Sequence, residues 1–141
     1  MTGVQTCALP IYVETSSFPL IRHNVFFSRD YPAEFDAIFR QGEVPQEPTV
    51  YVCAQDRDDD GLNADGTPER LLCLINAPAN GDSHAYPDEE IARCEDRAAR
   101  LMASCGLALH PGAAITTSPA GFHQLFPATG GGLYGDRKSV V

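Results

Sequence analysis

The chain contains no apolar run near the ~20 residues that a membrane-crossing helix needs, and this excludes a helical membrane span. Positive charge is scarce. Ten Lys and Arg against nineteen Asp and Glu give a formal net charge of −9, and Lys138 is the single lysine. So acidic a balance leaves no basic stripe to displace counterions from a nucleic-acid backbone and no polybasic patch for an anionic membrane surface. The cysteines include no C-x-x-C pair, and no histidine stands at zinc-finger spacing, so a structural zinc site is not expected. The beginning of the chain lacks both the basic start and the long apolar stretch of a secretory signal: Ala8-Leu9-Pro10-Ile11 is short and broken by a proline.

What is present is ordinary for a single globular domain. Of the 141 residues, 43% are hydrophobic and 21% charged, which suffices for a real core. The two ends differ in character from the middle. Val4–Ile11 (VQTCALPI) and Asp136–Val141 (DRKSVV) resemble translations of the two adapters used in short-read DNA sequencing. Residues 1–11 and 136–141 are therefore expected to be artefacts outside the fold, and residues 12–135 an internal piece of a longer protein. The four cysteines of that stretch, Cys53, Cys73, Cys94 and Cys105, fall in apolar strand or helix positions. They read as buried free thiols in a reducing, cytoplasmic setting.

Residues 23–28 (HNVFFS) have the composition of a short buried strand. Asp30 can cap a helix with Pro32 in its first turn, Glu34 near the positive end of the dipole, and Phe35, Ile38 and Phe39 as its apolar face. Gly42 ends it. Residues 49–55 (TVYVCAQ) and 70–77 (RLLCLINA) read as strands joined by a long polar hairpin loop. Residues 87–105 form the clearest helix. Acids crowd its first turn, Ile91, Cys94, Ala98, Leu101, Met102 and Cys105 make one stripe, and Gly106 stops it. A weak strand over 113–117, a short helix opened by Ser118-Pro119, and a flexible bend at Gly130-Gly131-Gly132 complete the pattern. The class is α+β, with packed helices and a mixed or antiparallel sheet.

Few residues suggest chemistry. The loop from Asp56 to Asp65 begins like an EF-hand, with acids at positions 1, 3 and 5 and Gly61 at position 6. Position 8 is Asn63 and position 12 is Thr67, so the apolar residue and the bidentate glutamate are missing. A solvated loop is expected, and a small calcium-binding or interaction module is the alternative. The four histidines are scattered and pair with no serine or cysteine in sequence. No catalytic, cofactor-binding or metal-binding residue is assigned.

Several stretches carry a resemblance: 23–28 (HNVFFS), 30–35 (DYPAEF), 48–57 (PTVYVCAQDR), 74–79 (LINAPA), 125–131 (LFPATGG) and 133–135 (LYG). In this order they resemble the bacterial carotenoid desaturases of the phytoene-desaturase family, and within it the 1-hydroxycarotenoid 3,4-desaturase branch. The resemblance implies a much longer FAD-dependent oxidoreductase that introduces C=C bonds into an acyclic hydroxycarotenoid. This chain would supply part of its substrate-binding region and would be inactive alone. The G-x-G-x-x-G fingerprint of the family's flavin site is absent, so the chain is not expected to bind FAD by itself. An apolar tunnel for a carotenoid needs walls of large apolar side chains. Phe26, Phe27, Phe122, Leu125 and Phe126 are its candidates here. Contact of the parent with the inner membrane from the cytoplasmic side is a further implication, and no nucleic-acid partner is expected.

Overall fold

The computed structural model describes residues 4–61, 67–110 and 112–127. The bend at Gly130–Gly132, the adapter-like 136–141 and the Asn63–Asp65 part of the acidic loop lie outside them. Among them, seven strands and three α-helices follow in the order β1 (Val4–Val13), β2 (Thr15–Ser16), β3 (His23–Phe26), α1 (Tyr31–Asp36), β4 (Val50–Ala54), β5 (Glu69–Pro78), α2 (Asp88–Ser104), β6 (Ala108–Leu109), β7 (Ala113–Ala114) and α3 (Pro119–Leu125). The main sheet has the order β3-β4-β5-β1-β7, and β2 pairs with β6 in a second, two-stranded sheet. All pairings are antiparallel. The class is α+β.

Local chemistry explains most boundaries. The Asp30 carboxylate accepts from the Ala33 N–H at 3.1 Å and opens α1. The helix continues as a π-helical turn, Ala37–Gln41, and ends at Gly42 with φ +68°, a conformation that costs a residue with a β-carbon. Ser118 caps α3 through its hydroxyl, which accepts from the Gly121 N–H. Pro87 precedes α2, and Asp88, Glu89 and Glu90 fill its first turn, where negative charge complements the exposed N–H groups.

The departure from expectation is β1. Residues 1–11 were expected outside the fold, yet Val4–Val13 pairs with the whole of β5, from Val4↔Pro78 to Val13↔Glu69. Cys7, Leu9 and Val13 are buried. With the half-buried Ile11 they recur at every second residue and give the segment one apolar face, and the edge of β5 offers a row of backbone donors and acceptors that must be satisfied. Pro10 is tolerated there. The neighbouring Ala8 exchanges backbone bonds with Thr117, and the Pro10 carbonyl accepts from Ile115. The missing N–H therefore points away from β5, toward the short β7 side, and the long ladder is intact.

One face of the sheet holds the core. Val50, Val52, Ala54, Leu71, Cys73, Ile75 and Ala77 are at most 1% exposed, and the α2 stripe of Cys94, Ala98, Leu101 and Met102 joins them in one cluster. Burial pushes the Cys73 thiol up to about 12. The Cys7 thiol is held far above its ordinary value by its hydrogen bond to Cys94 and by burial. Two cysteines differ from the expected burial: Cys53 is half-buried and Cys105 is exposed. Cys105 is the C-cap residue of α2, past the last turn that packs on the sheet. Cys53 points to the opposite face.

Two buried carboxylates tie the elements together. Glu34, placed by the sequence near the positive end of the α1 dipole, is 2% exposed. It accepts from the Thr49 N–H (3.0 Å), the Thr49 hydroxyl (2.6 Å) and the Asn76 amide (3.3 Å), which pins α1 to β5 and the start of β4. Glu69 receives a fork from Arg57, both bonds at 2.8 Å, and the Thr15 hydroxyl at 2.6 Å. The remaining Nη1 of Arg57 donates to the Leu20 and Gly61 carbonyls. The polar hairpin loop is thus anchored at its base.

Candidate functional site: an apolar sheet face

Strand alternation sends a second set of side chains to the face opposite α2. Direct register partners place Val25 beside Tyr51, Tyr51 beside Leu74, and Cys53 beside Leu72. Tyr12 opposes Arg70, and Pro10 opposes Leu72. A one-sided antiparallel sheet ordinarily carries polar residues here. This one carries Val25 at 49% exposure and Tyr12 at 52%, with Tyr51, Cys53, Leu72 and Leu74 half-buried between them. His23 and Tyr51 supply its polar pair. Nδ1 of His23 and the Tyr51 hydroxyl share a 2.7 Å hydrogen bond, and the rings stack at 6.1 Å.

An aromatic ladder borders the face. Phe27 continues the outward set of β3 and meets Tyr31 at 6.1 Å. Tyr31 meets Phe35 edge-on at 4.8 Å, and Phe35 stacks on Phe39 at 5.6 Å. The spacing of four residues aligns Tyr31, Phe35 and Phe39 along one side of α1 and the π-helical turn, where a shallow groove of about 660 Å³ runs past Phe35 and Phe39. Phe27 is 63% exposed. Rings packed on one another yet open to solvent form an apolar surface of the kind that marks binding faces.

The five residues singled out in sequence do not form one wall. Phe26 points to the α2 side, is 3% exposed, and packs on Phe18 at 5.0 Å. Phe27, its neighbour, points to the opposite side and joins the ladder. Phe122, Leu125 and Phe126 sit on and after α3, with Leu125 and Phe126 exposed. Tyr12, Val25, Tyr51, Leu72 and Leu74 were not singled out. Their signal was available: 49–54 and 71–75 are nearly continuous apolar runs, the pattern of strands covered on both faces.

The described acids of the loop, Asp56 to Asp60, do not converge on a cation site. The Asp56 carboxylate holds Arg70 through Nη2 at 2.5 Å and Nε at 3.0 Å, and accepts the Arg70 N–H at 2.7 Å. The Arg70 guanidinium keeps this carboxyl below its ordinary value. Asp58 accepts from the Asp60 N–H. Among the described residues no group of three His, Cys, Asp or Glu is arranged to hold a metal ion. Likewise no described helix is long and apolar enough to cross a membrane.

No protein-family model matches the chain. Curated relatives do. The chain is 54% identical to a hydroxyneurosporene desaturase of Rubrivivax gelatinosus over 89% of its own length and 24% of the relative's. It is 40% identical to a hydroxyneurosporene desaturase of Cereibacter sphaeroides over 83% of its length and 23% of the relative's. A zeta-carotene-forming phytoene desaturase of Myxococcus xanthus is 41% identical over 49% of the chain. The chain thus spans about a quarter of the length of the first two relatives. Matches to several carotenoid desaturases, two of them over more than four fifths of the chain, show that it belongs to the bacterial carotenoid desaturase family.

Proposed function

We propose that this chain is part of the substrate-binding region of an FAD-dependent carotenoid desaturase that introduces a C=C bond into an acyclic hydroxycarotenoid, and that it is inactive alone. The observation that carries this reading is the 54% identity to a hydroxyneurosporene desaturase over 89% of the chain. The apolar sheet face supports it. A polyene offers no hydrogen bonds along its length, so its recognition rests on buried apolar area. Val25, Tyr51, Leu72 and Leu74 would form the floor under such a molecule, and Phe27 with Tyr31 one side. The exposed Leu125 and Phe126, with Phe122, would add a second apolar contact from α3.

When bound, a flavin would accept the electrons removed from the C–C bond. The described residues of this chain do not fit that group. The one long helix among them, α2, begins with three carboxylates, which repel a pyrophosphate from the helix end that would otherwise favour it. The flavin therefore belongs to other parts of the parent. We further propose that residues 1–11 and 136–141 are foreign, and that β1 fills a place on β5 that the parent's own sequence fills otherwise. Peripheral contact with the inner membrane from the cytoplasm is part of the same proposal, because the substrate dissolves in bilayers.

The test is to read the source DNA beyond both ends, express the completed protein, and supply a hydroxyneurosporene with FAD. A product absorbing at longer wavelength, together with an upstream strand–G-x-G-x-x-G–helix unit, is expected. An upstream sequence without that unit, or an unchanged spectrum, would overturn the reading. In the active protein, Tyr51→Ser with Leu74→Ser should raise KM about tenfold, since about 1.4 kcal/mol of apolar contact is worth that factor.

A further inference from the structure

A cleft of about 470 Å³ opens beside α2, between that helix and the segment around Gln46 and Glu47. Four of the chain's nine arginines line it: Arg29, Arg93, Arg97 and Arg100. This is a local reversal of sign in a chain of net charge −9. The spacing 93, 97, 100 puts three guanidiniums on one side of α2. Asp96 and Glu47 also line the cleft, and each is matched by one arginine, Arg100 at 2.8 Å and Arg29 at 2.6 Å. Arg93 and Arg97 remain. Neither has an ion pair among the described residues. Arg97, which lines the cleft, is held in place by two 3.2 Å bonds from Nη1 to the Val44 and Pro45 carbonyls. Four guanidiniums against two carboxylates give the lining an excess of positive charge, which an anion would balance. Guanidinium forks match the oxygens of phosphates and carboxylates in bidentate pairs, and a doubly charged phosphate group would balance an excess of two arginines.

We propose that this cleft binds a phosphate-type anion, either a free phosphate ester or a lipid headgroup. The site lies on α2, the helix that covers the opposite side of the sheet from the apolar face, and it does not depend on the desaturase reading. Two probes test it on the full chain: inorganic pyrophosphate by calorimetry, and vesicles of phosphatidylcholine with or without phosphatidylglycerol by co-sedimentation. Binding of pyrophosphate points to a free ester; binding only of the anionic vesicles points to a headgroup. In either case Arg93→Ser with Arg100→Ser should weaken binding about tenfold or more, and Arg40→Ser, an exposed arginine outside the cleft, should leave it unchanged. The altered side chains are exposed, and circular dichroism verifies that each variant folds. Absence of binding to both probes overturns the proposal. So does an equal loss in Arg40→Ser, which would mark a general charge effect, or an unchanged affinity in the cleft variant.

Discussion

Glu69 carries a full charge at a position only 1% exposed, and Arg57 beside it has 13% of its side chain exposed. Burial alone would raise the Glu69 carboxyl; the bonds from Arg57 and Thr15 outweigh it and hold the group below its ordinary 4.5. The contribution of the pair to stability is therefore complete above pH 4.5 and is lost as the pH falls through the lowered value. Glu69→Gln removes the carboxylate charge that neutralises the buried Arg57 guanidinium and should cost about 3 kcal/mol, read from urea unfolding at neutral pH, with the difference from the parent chain shrinking in acid. The cysteines allow a second test. Cys105 is exposed, whereas Cys7, Cys73 and Cys94 are buried, and burial lifts Cys73 to about 12. Only the thiolate reacts with alkylating reagents. Mass spectrometry after iodoacetamide at pH 8 should find Cys105 modified first and Cys73 untouched until the chain unfolds. Sequence pattern could not separate these thiols, because all of them occupy apolar stretches and only packing decides which reach water.

Elements were mostly legible where local chemistry acts alone. The Asp30 cap, Pro32 in the first turn, the Gly42 stop and the Pro87-initiated α2 each have a signal within a few residues, and each forms as that signal predicts. Asp30→Ala should destabilise α1 by about 1 kcal/mol, measured by thermal unfolding. The terminal helix depends instead on a distant backbone. A β-carbon at Gly81 would sit 2.1 Å from the Pro119 carbonyl oxygen, so Gly81→Ala should push α3 away at a cost of about 2 kcal/mol. A loss of hydrogen-exchange protection confined to residues 119–125 would verify this; an unchanged pattern would contradict it. The strand β1 was not legible at all. Its likeness to an adapter translation argued for leaving it out, while the unpaired edge of β5 and the alternation of Cys7, Leu9, Ile11 and Val13 drew it in.

The whole molecule has one sheet face closed by α2 and the other left apolar and partly open. An open face of this kind should take up an apolar dye such as anilinonaphthalene sulfonate, and Leu72→Ser with Leu74→Ser should lower the bound fluorescence by roughly half; an undiminished signal would locate the dye elsewhere. The class α+β, the strand–loop–strand hairpin, the long amphipathic helix and the membership of the carotenoid desaturases were all determined by residues adjacent in the chain, since propensity, capping and motif order are local properties. Tertiary structure alone decided which way Phe26 and Phe27 turn, that Tyr12, Val25, Tyr51 and Leu74 share one face, and that four arginines from two distant segments meet in one cleft. The physical reason is common to all three. Strand register and helix docking bring together side chains far apart in sequence, and a shift of one residue in pairing would send each of them to the opposite face.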